Sequence, residues 1–232
     1  ASGLAPRGLI CLDLGQSTGG FTDCLLQAGA DNVVGVDVGH GQLHPRLQNH
    51  PQVVTLEAIN ARTLDRALLA DHVPAAGFDL IVGDLSFISL TLVLPAVVRL
   101  LKPHGQLLML VKPQFELQPG QVGKGGIVRD PALYAEVEQR IRTCLADLGL
   151  EVKAWLDSPI TGGDGNHEFF VHAQQGAQVQ HLDAPLPEQP ATAKPARVSR
   201  TLLREQKRVD VINGDEEDYY NVPGPARPKR KK

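Results

Sequence analysis

Up to residue 173 the chain alternates short apolar runs with longer stretches whose apolar positions recur at helical spacing. The pattern predicts strands at 9–14, 33–38, 52–57, 79–84, 106–112, 151–157 and 167–173. It predicts helices at 19–28, 61–71, 90–101 and 131–148. The first, second, fourth and fifth runs are almost continuously apolar, as strands are when helices cover both faces of their sheet. The last helix opens on Asp130-Pro131, a capping residue followed by proline at the first helical position, and closes at Gly149. Repeated strand–helix units imply an α/β fold with a doubly wound, mostly parallel sheet of seven strands. About nine residues and no helix separate the final two strands, so the last is expected to run antiparallel.

After residue 173 this pattern fades. The segment 174–232 holds 7 of the 17 prolines, and its 11 Lys and Arg against 8 Asp and Glu give it a net charge of +3, which leaves −6 on residues 1–173. Two regions are therefore expected: a folded domain over 1–173 and a flexible, proline- and charge-rich extension over 174–232 with a basic end. Residues 198–212 have the spacing of a basic amphipathic helix. The extension reads equally as a solubilising tail or as a phosphate-binding arm.

Composition adds limits. With 42% hydrophobic but only 4% aromatic residues, an aliphatic core is expected. Three cysteines are too few for a disulfide framework, and Cys11 and Cys24 are expected to be buried, reduced thiols. No run of about 18 apolar residues suggests a membrane span, and the first residues lack a secretory pattern, so a cytoplasmic location is expected.

The first strand leads into Asp13-Leu14-Gly15-Gln16-Ser17-Thr18-Gly19-Gly20-Phe21 and then a helix. A glycine-rich loop at the carboxyl end of a strand lies where open α/β sheets bind ligands. The second strand ends near Asp37, placed to accept two hydrogen bonds from a ribose diol. Three readings compete. A dinucleotide loop wants glycine where Ser17 stands. Gly15-Gln16-Ser17-Thr18-Gly19 matches a hydrolase elbow, but that elbow needs sheet strands ahead of it, and about eight residues precede this one. The third is a class I methyltransferase fold, which holds S-adenosylmethionine with such a loop and carboxylate. A phosphate-cradling Walker loop fails, because Gly123-Lys124 is followed by Gly125.

Polar residues end the other strands: Asp84 in Gly83-Asp84-Leu85-Ser86-Phe87, Lys112 in Val111-Lys112-Pro113-Gln114-Phe115-Glu116, and Glu168 in Asn166-His167-Glu168-Phe169. In a doubly wound sheet Asp84 and Lys112 open on the edge that carries the glycine loop. They read either as a salt bridge sealing that edge or as reactive groups. His167 reads as a proton shuttle beside Glu168 or, more simply, as a solvent-facing residue at a strand start. No histidine or cysteine spacing suggests a metal site.

Taken together, these motifs, with Val36-Asp37-Val38-Gly39-His40-Gly41-Gln42-Leu43, Ser86-Phe87-Ile88-Ser89 and Val122-Gly123-Lys124-Gly125-Gly126, resemble the TlyA family of 2′-O-ribose RNA methyltransferases, relatives of the FtsJ (RrmJ) type. The resemblance covers roughly residues 9–173. It implies a class I methyltransferase fold, S-adenosylmethionine as cofactor and methyl transfer to a ribose 2′-hydroxyl, here of a cytidine in ribosomal RNA. The family uses a Lys-Asp-Lys-Glu tetrad, of which Asp84, Lys112 and Glu168 carry over. The first lysine, and the family's S4-like RNA-binding domain, are expected to lie ahead of residue 1. The implied cofactor-binding residues are Asp13, Gly15, Ser17, Thr18, Gly19, Gly20, Phe21, Asp37, Val38, Asn60 and Asp84.

The implied partner is ribosomal RNA or a ribosomal subunit, with no stable membrane association. RNA binding by a region of net −6 needs local positive charge, for which Lys124, Arg129 and Lys102 are candidates, with the loop 118–130 either closing over substrate or merely connecting elements. Two other functions stay open. Members of the family carry the label haemolysin, which suggests membrane damage, and a methyltransferase fold that only binds RNA is also compatible.

Overall fold

The computed structural model describes residues 3–163 and 165–176. The elements in chain order are β1 (Ile10–Leu14), α1 (Gly20–Gln27), β2 (Asn32–Val36), α2 (Pro45–Gln48), β3 (Val53–Leu56), α3 (Arg66–Leu69), β4 (Phe78–Gly83), α4 (Leu90–Val97), β5 (Leu101–Val111), α5 (Pro113–Glu116), α6 (Pro131–Asp147), β6 (Leu150–Asp157) and β7 (Phe169–Gln175). They build one seven-stranded sheet in the order β3-β2-β1-β4-β5-β7-β6. The pairs from β3 to β5 are parallel. β7 is antiparallel to both β5 and β6. The α/β, doubly wound, mostly parallel sheet expected from the chain's pattern is thus the observed fold, with the last strand reversed.

Both sheet faces are covered, which is why the central strands are apolar at successive positions. On one face Cys11, Val33, Leu80 and Val82 pack with Leu25 of α1. On the other, Leu12, Leu14, Val34, Val36 and Ile81 pack with α4 and with Val137, Ile141 and Leu145 of α6. Strand order reverses at β1: the chain goes outward to β2 and β3, then returns to β4 on the other side. The carboxyl ends of β1 and β4 therefore flank a crevice, the usual ligand position in such sheets.

Some boundaries differ from expectation. The stretch 61–71 is not one helix. A 3-10 turn (Ala61–Thr63) is followed by α3, capped by Asp65, whose side chain accepts from the Leu68 N–H at 2.8 Å. An aspartate competes with a helix interior and favours its start. β5 begins at Leu101 because Leu101 pairs with Phe78. The register then jumps, so that Leu80 pairs with Gln106, where the strand was expected to start. β7 begins at Phe169, so His167 and Glu168 precede it. Cys24 is exposed on α1, against expectation, while Cys11 is buried and Cys144 half-buried, and all three are free thiols. Burial pushes the Cys11 thiol up to about 12 and the Cys144 thiol up to about 11, so neither is a ready nucleophile. The extension expected from residue 174 has its first residues in β7, and its helix candidate and basic end lie outside the described residues.

Candidate active site

The glycine loop leaves β1 at the crevice. Gly15 has φ 74°, and a Cβ there would collide with the Asp84 main-chain carbonyl, so the two strand ends approach as closely as glycine permits. The Gly15 N–H donates to the Val36 carbonyl at 2.9 Å, and the Asp84 N–H donates to the Leu14 carbonyl at 3.0 Å, which stitches the ends of β2, β1 and β4 together. Ser17, standing where a dinucleotide loop has glycine, still takes the left-handed conformation, with φ 49°. Its N–H donates to Asp37 Oδ2 at 2.8 Å, and the Gly39 N–H donates to Asp37 Oδ1 at 2.7 Å. Asp37 is thus a brace for the loop. Each carboxylate oxygen keeps a second lone-pair direction for a ligand hydroxyl. Val38 beside it is 67% exposed, an apolar surface left open at this edge. Asn60 caps the 3-10 turn after β3, its Oδ1 accepting from the Arg62 N–H at 2.9 Å. Thr18 ties the loop outward, its carbonyl accepting from the His44 N–H at 3.1 Å. Gly19 and Gly20 lead into α1, where the Phe21 ring lies 6.3 Å from that of Phe170.

Under the loop lies a buried polar chain. The Thr22 hydroxyl donates to Asp13 Oδ2 at 2.7 Å and accepts from Gln16 Nε2 at 3.0 Å. The Gln16 side chain lies over Gly35, where a Cβ would overlap it. Asp13 Oδ1 and Gln16 Oε1 are buried acceptors without a hydrogen-bond donor. Burial raises the Asp13 carboxyl from its ordinary 3.8 to about 6, against the Thr22 bonds that lower it, and Asp84 and Asp37 add a smaller upward push. The folded state therefore holds this proton more tightly than the unfolded chain, and stability falls as pH rises from about 4 to about 6. Asp13→Asn is expected to raise the melting temperature at pH 7.5 by several degrees and to leave it nearly unchanged at pH 4. Calorimetry at both values checks this, and a lower melting temperature at pH 7.5 would contradict it.

Across the crevice, Lys112 follows the last residue of β5. Its Nζ lies 2.5 Å from Asp84 Oδ1 and 3.2 Å from Ser86 Oγ. The lysine side chain is 14% exposed and that of Asp84 44%, so the ion pair sits at the mouth, where the aspartate remains solvated. Val111 pairs with Phe169 across the antiparallel β5–β7 ladder. Glu168 directly precedes Phe169, just beyond the last pair of that ladder. Glu168 is buried, with Oε1 against Gly162, and its carbonyl accepts from the Ser158 N–H at 2.9 Å. His167 turns elsewhere: Nε2 lies 2.9 Å from Asp157 Oδ1, and the ring lies 4.6 Å from that of Phe169.

The structure adds residues that the chain's pattern does not single out. Ser86 is a partner of Lys112. Phe87, 45% exposed with a left-handed φ of 64°, holds its ring 5.0 Å from that of Phe115 beside the ion pair. A bulky residue in that conformation is uncommon outside functional sites, and an exposed aromatic directly after Ser86 is the signal that marks it. Gln16 and Thr22 are also new. Asn166 holds the loop 118–130 in place: its Oδ1 accepts from the Val128 N–H at 3.0 Å and its Nδ2 donates to the Gly126 carbonyl at 3.0 Å. Lys124 and Arg129 are exposed on that loop. Lys102 is not near the crevice, contrary to expectation. It stands at the start of β5, on the opposite edge of the sheet, paired with Asp79.

The model of the FtsJ-like methyltransferase family matches residues 2–175. The chain belongs to the FtsJ-like methyltransferase family. Over 171 residues it is 46% identical to the 16S/23S rRNA (cytidine-2′-O)-methyltransferase TlyA of Mycobacterium tuberculosis, a match that covers 74% of this chain and 62% of that protein. It is 41% identical over 170 residues to Hemolysin A of Brachyspira hyodysenteriae, covering 73% of this chain and 69% of that one. A Lactococcus lactis protein described as a hemolysin has the same fold at a TM-score of 0.71 and 39% identity, covering 77% of this chain and 84% of that chain. The FtsJ-like match contains the whole crevice, from the Asp13 loop to Glu168. Among the described residues, no helix is long and apolar enough to cross a membrane.

Proposed function

We propose that the chain carries the methyltransferase part of an enzyme that methylates a ribose 2′-hydroxyl of a cytidine in ribosomal RNA, using S-adenosylmethionine, in the cytoplasm. The observation that carries this reading is the meeting, at one switch point, of an Asp37-braced glycine loop with a lysine–aspartate pair. The residues fit the cofactor. Asp13, Asp37 and Asp84 lie at or near the carboxyl ends of three neighbouring strands and make a negative edge suited to a ligand with cationic groups. Asp13 Oδ1, buried and lacking a donor, suits its ammonium. Asp37 suits the ribose hydroxyls, Val38 the flat base and Gly15 the close passage of the chain between them.

The cofactor supplies a methyl group already activated by its sulfonium, so the protein's task is to position and desolvate the acceptor. In the proposed reaction the methyl–sulfur bond breaks and a methyl–oxygen bond forms, and the hydroxyl loses its proton. Lys112 Nζ contacts the hydroxyl oxygen, orienting it when protonated and receiving its proton when neutral. Asp84, Ser86 and Glu168 hold that amine. A 2′-hydroxyl acceptor makes the site selective for RNA over DNA. Phe87 offers a ring to the base of the acceptor nucleotide, and Lys124 and Arg129 offer charge to its phosphates. A ribosomal subunit is the proposed physiological form of the substrate. The division of the chain near residue 174 belongs to the same proposal.

Calorimetric titration with S-adenosylmethionine, followed by transfer of a labelled methyl to purified ribosomal RNA, tests the reading. The expected product is a nucleotide linkage resistant to alkaline cleavage, with no labelling of DNA of the same sequence. Labelled product that remains alkali-sensitive would place the methyl on a base and reject the 2′-hydroxyl. Leakage from lipid vesicles, undiminished in Lys112→Ala, would instead support the membrane activity that the haemolysin names suggest.

A further inference from the structure

Glu116 ends α5 and is 3% exposed, yet it lies outside the group of residues assigned above. Its carboxylate turns to the start of α4. Oε1 accepts from the Leu90 N–H at 2.7 Å, and Oε2 accepts from the Ser89 hydroxyl at 2.5 Å. Ser89 already caps α4, its Oγ accepting from the Thr91 N–H at 3.2 Å. A second, buried carboxylate from another element adds a desolvation cost that capping alone does not require. Burial raises the Glu116 carboxyl above its ordinary value, while Ser89, Leu90 and the Arg140 charge on α6 pull it back. Arg140 also donates to the Glu116 main-chain carbonyl and pairs with Glu136 at 2.7 Å, which fixes α5 to α6.

The bonds join two short segments. One, residues 84–89, runs from the end of β4 to α4 and carries Asp84, Ser86 and Phe87. The other, residues 112–116, carries Lys112, Phe115 and Glu116. They meet at three points: Lys112 on Asp84 and Ser86 at one end, Phe87 on Phe115 in the middle, and Glu116 on Ser89 and Leu90 at the other. The left-handed conformation of Phe87 is strained and persists only where the surrounding structure holds its segment. The middle contact is exposed and the first is an ion pair at the mouth, so the buried end is the rigid one.

Resting on the methyltransferase reading, we infer that Glu116 is a positioning residue: through Ser89 and Leu90 it sets the 84–89 segment so that Asp84, Ser86 and Phe87 meet Lys112 in reacting geometry. It does not touch the substrate. It acts through the segment it holds.

The test is Glu116→Gln, which keeps the shape and the acceptor for the Leu90 N–H but loses the charge and disturbs the Ser89 bond. The variant is expected to stay folded and to bind S-adenosylmethionine within about twofold of wild type, because the cofactor loop is braced from Asp37. Its kcat is expected to fall on the order of tenfold or more, with KM for ribosomal RNA little changed, as small misplacements of reacting groups cost turnover. Hydrogen exchange should rise in residues 84–92 and not in α6. Ser89→Ala should shift kcat in the same direction by less. Wild-type kcat in the folded Glu116→Gln protein overturns the inference, and so does a fall in kcat no larger than the fall in folded fraction. Wild-type protein that binds no S-adenosylmethionine, or transfers no methyl, overturns the underlying reading instead, and the wild-type control separates the two failures.

Discussion

Lys112→Ala is expected to lose methyl transfer by about 10²–10⁴-fold while binding S-adenosylmethionine within about twofold of wild type. The reason lies in where the lysine sits. In the proposed site it serves the acceptor, and its partners are Asp84 and Ser86, not the glycine loop. Removing it leaves Asp84 without its counterion, but that side chain is 44% exposed, so water takes over and the fold survives. Lys112→Arg is not expected to restore activity. A guanidinium is planar and does not release its proton, so it cannot take up another. Calorimetry with S-adenosylmethionine and single-turnover transfer to ribosomal RNA measure the two effects separately. Turnover within about tenfold of wild type in Lys112→Ala would remove the lysine from the chemistry.

The second large effect is expected at Asp37. Asp37→Ala removes two carboxylate bonds to the loop, from Ser17 and Gly39, and the proposed acceptor for the cofactor ribose. A hydrogen bond to a charged group is worth about 1.5–3 kcal/mol. Ser17 would also lose the bond that holds it in its left-handed conformation. The expected loss of S-adenosylmethionine affinity is on the order of 100-fold, equivalent to nearly 3 kcal/mol. Asp37→Asn, which keeps one acceptor, should fall between. The titration is one of binding alone, so it does not depend on RNA. Affinity within about threefold of wild type in Asp37→Ala would show that neither the brace nor the ribose contact matters to the cofactor.

Much of the architecture is legible in the chain because its causes are local. The run Leu9 to Leu14 is a strand because it is apolar on both faces save for Asp13, and it stops where Gly15 permits a turn. Asp130-Pro131 starts α6 and Gly149 follows its end. Errors came where one local rule met another. Residues 61–71 have helical spacing, but Asp65 stops one turn and caps the next. Cys24 lies on a helix that the pattern finds, yet the pattern alone does not tell which side of it faces the sheet.

The site divides in the same way. The sequence by itself determines that Asp37, Asp84 and Lys112 stand at strand ends, since an apolar run ending in a polar residue marks the end wherever the strand goes. Only the tertiary structure decides which of those ends share an edge. Lys102 and Lys112 stand at the two ends of β5, but one pairs with Asp79 and the other with Asp84, on the side of the glycine loop. Val111, next to Lys112, pairs with Phe169, next to Glu168, because β7 runs against β5, and Glu116 reaches Ser89 because α4 and α5 converge on the same end of the core. Such neighbours are set by strand order, strand direction and packing between distant segments. Hydrophobic period reports only which face of its own element a residue occupies.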